Sequence, residues 1–174
     1  MIVYRHNDSR YPFLWEDGAQ PAARWHRPGE GPVHYFADTP GGAWAEFLRH
    51  EEITEEGDLE GVSRALWAVE IGDPDVSAPA LPDDVVTGGL DSYSSCQGEA
   101  ARLRAEGATA LVARSAALGD GAAHGWRVEL GFRMGPRADG RVFVLFGRRP
   151  ELVGWLVVDR GRPPAELLTD VRHL

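Results

Sequence analysis

Short stretches in which apolar and polar residues alternate recur along this chain, while only two helices can be placed with an identifiable mechanism. Val33–Ala37 puts Val33, Tyr35 and Ala37 on one face and His34 and Phe36 on the other. Ala65, Trp67, Val69 and Ile71 repeat the pattern, and further strands are predicted at Ala108–Ala113, Arg127–Phe132, Arg141–Phe146 and Leu152–Val158. Between two of these, Ala138-Asp139-Gly140 predicts a hairpin turn. Many short strands with few helices give an α+β domain and not a doubly wound sheet. With 174 residues, the chain reads as one domain, 1–174.

The two helices have identifiable starts. Thr39-Pro40 offers an N-cap followed by a proline whose missing N–H costs nothing at the first helical position. That helix is predicted to run to about Glu51, with Ala43, Trp44, Phe47 and Leu48 on its buried stripe. Ser94 with Gln97 predicts a capping box for a second helix, Cys96–Glu106, which Gly107 terminates. Gly72–Gly89, rich in Pro, Asp and Gly, predicts a long loop of the kind that often serves as a lid. Gly119–Gly125 is a second turn-rich stretch.

Composition narrows the function. A net charge of −9 argues against a nucleic-acid binder, because affinity for phosphates comes from neutralising them. Arg148, Arg149, Arg160 and Arg162 cluster locally, which a solvated surface explains. The apolar runs are too short to cross a bilayer, and Met1–Arg10 lacks the apolar core of a secretory signal. The single cysteine, Cys96, cannot form an internal disulfide, and the expectation is a cytoplasmic protein.

Strong motifs are absent: no HExxH, CxxC pair, P-loop, GxSxG or GxGxxG occurs. Six scattered histidines and one cysteine do not make a metal site. Cys96, near a helix start, is a candidate nucleophile whose plainer reading is a structural cysteine. Three linked segments remain: Arg24-Trp25-His26-Arg27-Pro28-Gly29, Val33-His34-Tyr35-Phe36-Ala37, and Ala43-Trp44-Ala45-Glu46. Taken singly, Arg24 reads as a surface cation, Tyr35 as a core aromatic and Glu46 as a solvated carboxylate at the edge of the apolar stripe.

Taken together, Arg-Trp-x-x-x-Gly, a strand ending Tyr-x-Ala, and a helix carrying Ala-x-Glu resemble the N-terminal signature of the RES family. Arg24 and Glu46 match that family's Arg and Glu, and Tyr35 its accompanying tyrosine. Its Ser is best matched by Ser115, with Ser94, Ser95 and Ser77 as alternatives. Tyr4-Arg5 resembles the opening strand. His26 stands where the family more often has Asn and Arg114 where Pro is usual, and the Asn-Pro element after the Ser is absent.

The resemblance implies an ADP-ribosyltransferase-like split β-sandwich with an NAD⁺-binding cleft. It implies an NAD⁺-degrading toxin of a toxin–antitoxin pair, cleaving the nicotinamide–ribose bond with water or phosphate as acceptor. NAD⁺ would be the substrate, with no permanently bound cofactor and no metal. In this chemistry Glu46 would stabilise an oxocarbenium-like centre, as in glycoside hydrolysis. Arg24 would hold the pyrophosphate with Arg5 as a second clamp, since a guanidinium fork suits phosphate oxygens. Tyr35 would pack on the nicotinamide, and Ser115 would position a ribose or phosphate. The partners implied are a helix-turn-helix (Xre-type) antitoxin and a second copy in a homodimer. Two other readings stay open: a protein ADP-ribosyltransferase, and a catalytically decayed interaction module.

Overall fold

The computed structural model describes residues 1–174. Six strands form one antiparallel sheet: β1 (Ile2–Asn7), β2 (Val33–Ala37), β3 (Arg64–Glu70), β4 (Ala110–Arg114), β7 (Arg141–Phe146) and β8 (Val153–Gly161), in the order β4-β7-β2-β1-β3-β8. The halves β4-β7-β2 and β1-β3-β8 meet through a single registered pair, Tyr4 opposite Ala37. The sheet is therefore split at its centre, as the expected architecture requires.

Alternation decides what each face of β2 meets. Val33 and Ala37 face the two principal helices, whereas Phe36 joins Val3, Val69, Ile71, Phe143 and Leu145 in the core of the opposite face. Helix α1 (Pro40–His50) covers the β1 side through Ala43, Trp44, Phe47 and Leu48, all buried. Its cap is the expected one, with the Gly42 N–H donating to Thr39 Oγ1 at 3.0 Å. Helix α3 (Tyr93–Ala105) covers the β4-β7-β2 half through Cys96, Ala100 and Leu103. It ends as predicted: Gly107 takes φ +96°, and the Ala108 N–H reaches back to the Leu103 carbonyl. No helix is long and apolar enough to cross a membrane.

Four expectations are corrected. The stretch predicted as a strand at Arg127–Phe132 is a hairpin, β5 (Trp126–Val128) and β6 (Phe132–Met134), because Leu130 and Gly131 turn at φ +53° and +127°. Ala138-Asp139-Gly140 is consequently not a hairpin turn; the Asp139 carboxylate accepts from the Gly121 N–H and pairs with Arg114. The Ser94–Gln97 capping box does not form. Gln97 Nε2 donates instead to the carbonyls of Ala23 and His26, tying the Arg24 segment to α3. Finally, Gly72–Gly89 is pinned and not a free lid. Ser77 bridges Leu111, Glu99 accepts the Ala80 N–H at 2.7 Å, and Asp83–Thr87 forms a short helix, α2.

Candidate active site

Helices α1 and α3 lie over different halves of the same face, and a cleft of about 480 Å³ separates them. Arg24, Tyr35, Glu46, Arg49, Tyr93 and Arg114 line it. Three sequence candidates, Arg24, Tyr35 and Glu46, meet there, and a fourth, Ser115, stands buried behind Glu46. Arg5 does neither, because strand alternation gives the cleft side to His6 and turns Arg5 to the face of Val3 and Phe36. Its guanidinium lies over the Phe36 ring at 5.9 Å, and burial lowers its pKa to about 10.

Glu46 is half-buried and not solvated. Ser115 Oγ donates to its Oε1 at 3.1 Å, while the N–H groups of Ala117 and Leu118 donate to Ser115 Oγ at 3.2 and 3.0 Å. The serine hydroxyl is thus oriented by two backbone donors so that its proton can point only at the carboxylate. Ser94 and Ser95 are exposed, and Ser77 is engaged through its backbone, so Ser115 alone among the four serines reaches Glu46. Burial raises the Glu46 pKa above its ordinary value; the Ser115 hydrogen bond and the charges of Arg24 and Arg49 oppose that rise.

Two guanidiniums converge opposite the carboxylate. Arg24 Nη2 and Arg49 Nη2 both donate to the Gly88 carbonyl, at 2.7 and 2.6 Å. Arg24 Nη1 also donates to Ser92 Oγ at 2.8 Å, and its guanidinium stacks over Tyr93 at 4.7 Å. Arg49 Nη1 donates to the carbonyls of Ala116 and Arg172. These bonds end on carbonyl and hydroxyl oxygens, not carboxylates, so two positive charges face one negative charge in a chain of net charge −9. Burial, with the Arg24 charge in support, lowers the Arg49 pKa. Such a locally positive, partly desolvated pair favours an anion. A side chain at Gly88 would meet the Asp84 carbonyl at 2.8 Å, so the close approach there requires glycine.

Tyr35 supplies a ring to the cleft wall, but its hydroxyl is engaged. It accepts from the Trp25 N–H at 3.1 Å and donates to His26 Nδ1 at 2.9 Å, which leaves the His26 Nε2 proton for the Pro21 carbonyl. Burial drives the Tyr35 pKa upward, so the phenol stays neutral. His26, which departs from the family pattern, therefore serves as the acceptor that orients Tyr35. Arg114, the other departure, clamps the rim by pairing with Asp83, Asp120 and Asp139. Cys96 is buried in the α3 core and its Sγ donates to the Val85 carbonyl, the setting of the structural cysteine that was the plainer reading and not of a nucleophile.

Arg49, Tyr93 and His6 escaped sequence reasoning. For Arg49 a signal existed: it follows Glu46 by three residues and so shares its helix face. Tyr93 and His6 carried none, since their positions depend on α3 and β1 docking around the cleft.

Among curated proteins, none matches this chain in sequence. Among solved structures, the chain is similar to the crystal structure of the M. tuberculosis MbcT–MbcA toxin–antitoxin complex. The match has a TM-score of 0.65 and 19% identity, covering 97% of this chain and 86% of that one. The family model of the RES domain matches residues 2–160, and the chain belongs to the RES domain family.

Proposed function

We propose that this protein consumes NAD⁺ by cleaving the bond between nicotinamide and ribose. The observation that carries this reading is the meeting of the Ser115-oriented Glu46 carboxylate with the unneutralised Arg24–Arg49 pair in one cleft. The pyrophosphate would lie against the guanidiniums, with Arg24 the principal contact. The rings of Tyr35 and Tyr93 offer apolar faces for the nicotinamide. As the C1′–N bond breaks, its electron pair goes to the pyridinium nitrogen, and nicotinamide leaves as a neutral molecule without protonation. Positive charge grows on the ribose, where Glu46 stabilises it. An oxygen of water or phosphate then bonds to C1′ and gives up its proton. NAD⁺ is the substrate in this scheme, and no resident cofactor or metal takes part.

The toxin reading extends this chemistry. Expressed alone in the cytoplasm, the protein would halt growth as NAD⁺ falls, and a small helix-turn-helix protein encoded beside it would neutralise it by covering the cleft. Purified protein incubated with NAD⁺ should release free nicotinamide without labelling protein. Labelled protein would support ADP-ribosyl transfer instead, and intact NAD⁺ would overturn the enzymatic reading.

A further inference from the structure

Glu46, Arg49 and Glu52 line the cleft at equal intervals along α1 and its C-terminal turn. At about 1.5 Å of rise per residue, they spread over about 9 Å. The inner acid is held by Ser115, whereas Glu52, at the outer end, is exposed and makes no ion pair. An acid, a guanidinium and an acid follow the order of groups along a dinucleotide, which runs ribose, pyrophosphate, ribose. Carboxylates accept from ribose hydroxyls, and guanidiniums donate to phosphate oxygens. The proposed reaction uses Glu46 at the first ribose and Arg49 at the pyrophosphate, and leaves Glu52 without a task. Glu52 also stands where its side chain is disfavoured. Its N–H donates to the Arg49 carbonyl at 3.3 Å, and the Ile53 N–H donates to the Leu48 carbonyl at 2.9 Å. That closing turn puts Glu52 at φ +54°, a left-handed position that glycine usually fills. The same turn ties Glu52 to the backbone of Arg49.

We infer that Glu52 is a specificity-determining residue, which accepts from the 2′- and 3′-hydroxyls of the adenosine ribose and rejects a phosphate at the 2′ position. This rests on the reaction proposed above and narrows its substrate to NAD⁺ over NADP⁺. A ribose diol donates to a carboxylate, whereas a 2′-phosphate is itself an acceptor and sets like charge against it. Dinucleotide sites use an acid for the free ribose and an arginine for its 2′-phosphate. Here no guanidinium is left over for a second phosphate group. Arg114, the third arginine of the lining, pairs with Asp83, Asp120 and Asp139. Of the two imidazoles in the lining, His50 lies two residues before Glu52, and His6 is held neutral with its Nδ1 accepting from Arg64.

Turnover of NAD⁺ and NADP⁺, beside calorimetric binding of ADP-ribose and its 2′-phosphate, tests this on the purified protein. The wild type should favour the unphosphorylated ligand of each pair by about 10²-fold. Glu52→Gln, which keeps an acceptor and loses the charge, should lower that preference about tenfold. Glu52→Arg should reverse its direction, and should that variant fail to fold, Glu52→Gln decides alone. Glu52→Gly should raise Tm by relieving the left-handed strain while also lowering the preference, a combination that a merely structural residue would not give. Equal handling of the two ligands by the wild type, binding of neither, or a preference untouched by Glu52→Gln would overturn the inference. Binding separates the two proposals. A protein that releases no nicotinamide yet binds ADP-ribose better than its 2′-phosphate would lose the reaction and keep this site. One that consumes NAD⁺ and NADP⁺ alike would keep the reaction and lose the site.

Discussion

Glu46 sits where the helical period alone would leave a solvated carboxylate, and its neighbours give it another character. Replacing it with Gln keeps shape and hydrogen bonding but removes the charge that, in the proposed reaction, stabilises the developing cation. Nicotinamide release should fall by about 10²–10³ with the fold intact, as read by turnover and circular dichroism. Normal turnover would remove Glu46 from the mechanism. The raised pKa fixes two opposite trends with pH. The proposed reaction needs the carboxylate, so its acid limb should lie above the ordinary value of 4.5. Stability from this group is full below 4.5 and is lost as pH rises through the raised value, because the folded state holds the proton more tightly. Ser115→Ala would strand the N–H groups of Ala117 and Leu118 and leave Glu46 without its donor. A loss of about 1–3 kcal/mol is expected, seen as a lower Tm together with reduced activity. An unchanged Tm and turnover would show that the hydroxyl is idle.

At the scale of the element, what was readable is what the local chain decides. Thr39-Pro40 caps α1, Gly107 stops α3, and the alternation of Val33–Ala37 makes β2, all through neighbours a few residues away. The readings that failed depend on partners far along the chain. Gln97 was free to cap α3 until the Arg24 segment docked and offered two carbonyls. The exposed hairpin reads in sequence as one strand because apolar residues recur at every second position through its turn. The same distinction separates Arg49, visible in helix spacing, from His6, which a strand brings to α1. His6 stacks on Trp44 at 6.4 Å, and its Nδ1 accepts from Arg64 at 3.3 Å. Burial, aided by Arg64, lowers its pKa from 6.5 to about 3, so the folded protein holds it neutral. Between those values the unfolded chain binds the proton and the folded one does not, so stability should drop as pH falls from 6.5 towards 3. Urea unfolding across that range should show this slope in the wild type and a flatter one in His6→Gln. Equal slopes would assign the acid sensitivity elsewhere.

For the whole molecule, the loop bearing Ser115 is held by residues beyond the matched 2–160 segment. The Arg172 guanidinium donates to the carbonyls of Ser115 and Leu118 and pairs with Asp120, its N–H donates to Ala117, and its carbonyl accepts from Arg49. Arg172→Ala should therefore reduce kcat more than it alters KM, by up to about 10²-fold for a misplacement on the order of 1 Å, with partial rescue by Lys. A change confined to KM would place Arg172 in substrate contact instead.

The split sheet also governs when this protein can act. β1 waits for β3, β2 waits for β7, and the serine loop waits for Arg172. Such distant pairings form late and together, since each must close a long loop before it gains contacts. A chain still emerging from the ribosome holds Arg24 and Glu46 long before the strands and loop that would bring them to bear. Synthesis itself thus sets an interval in which the residues of the cleft exist without the cleft.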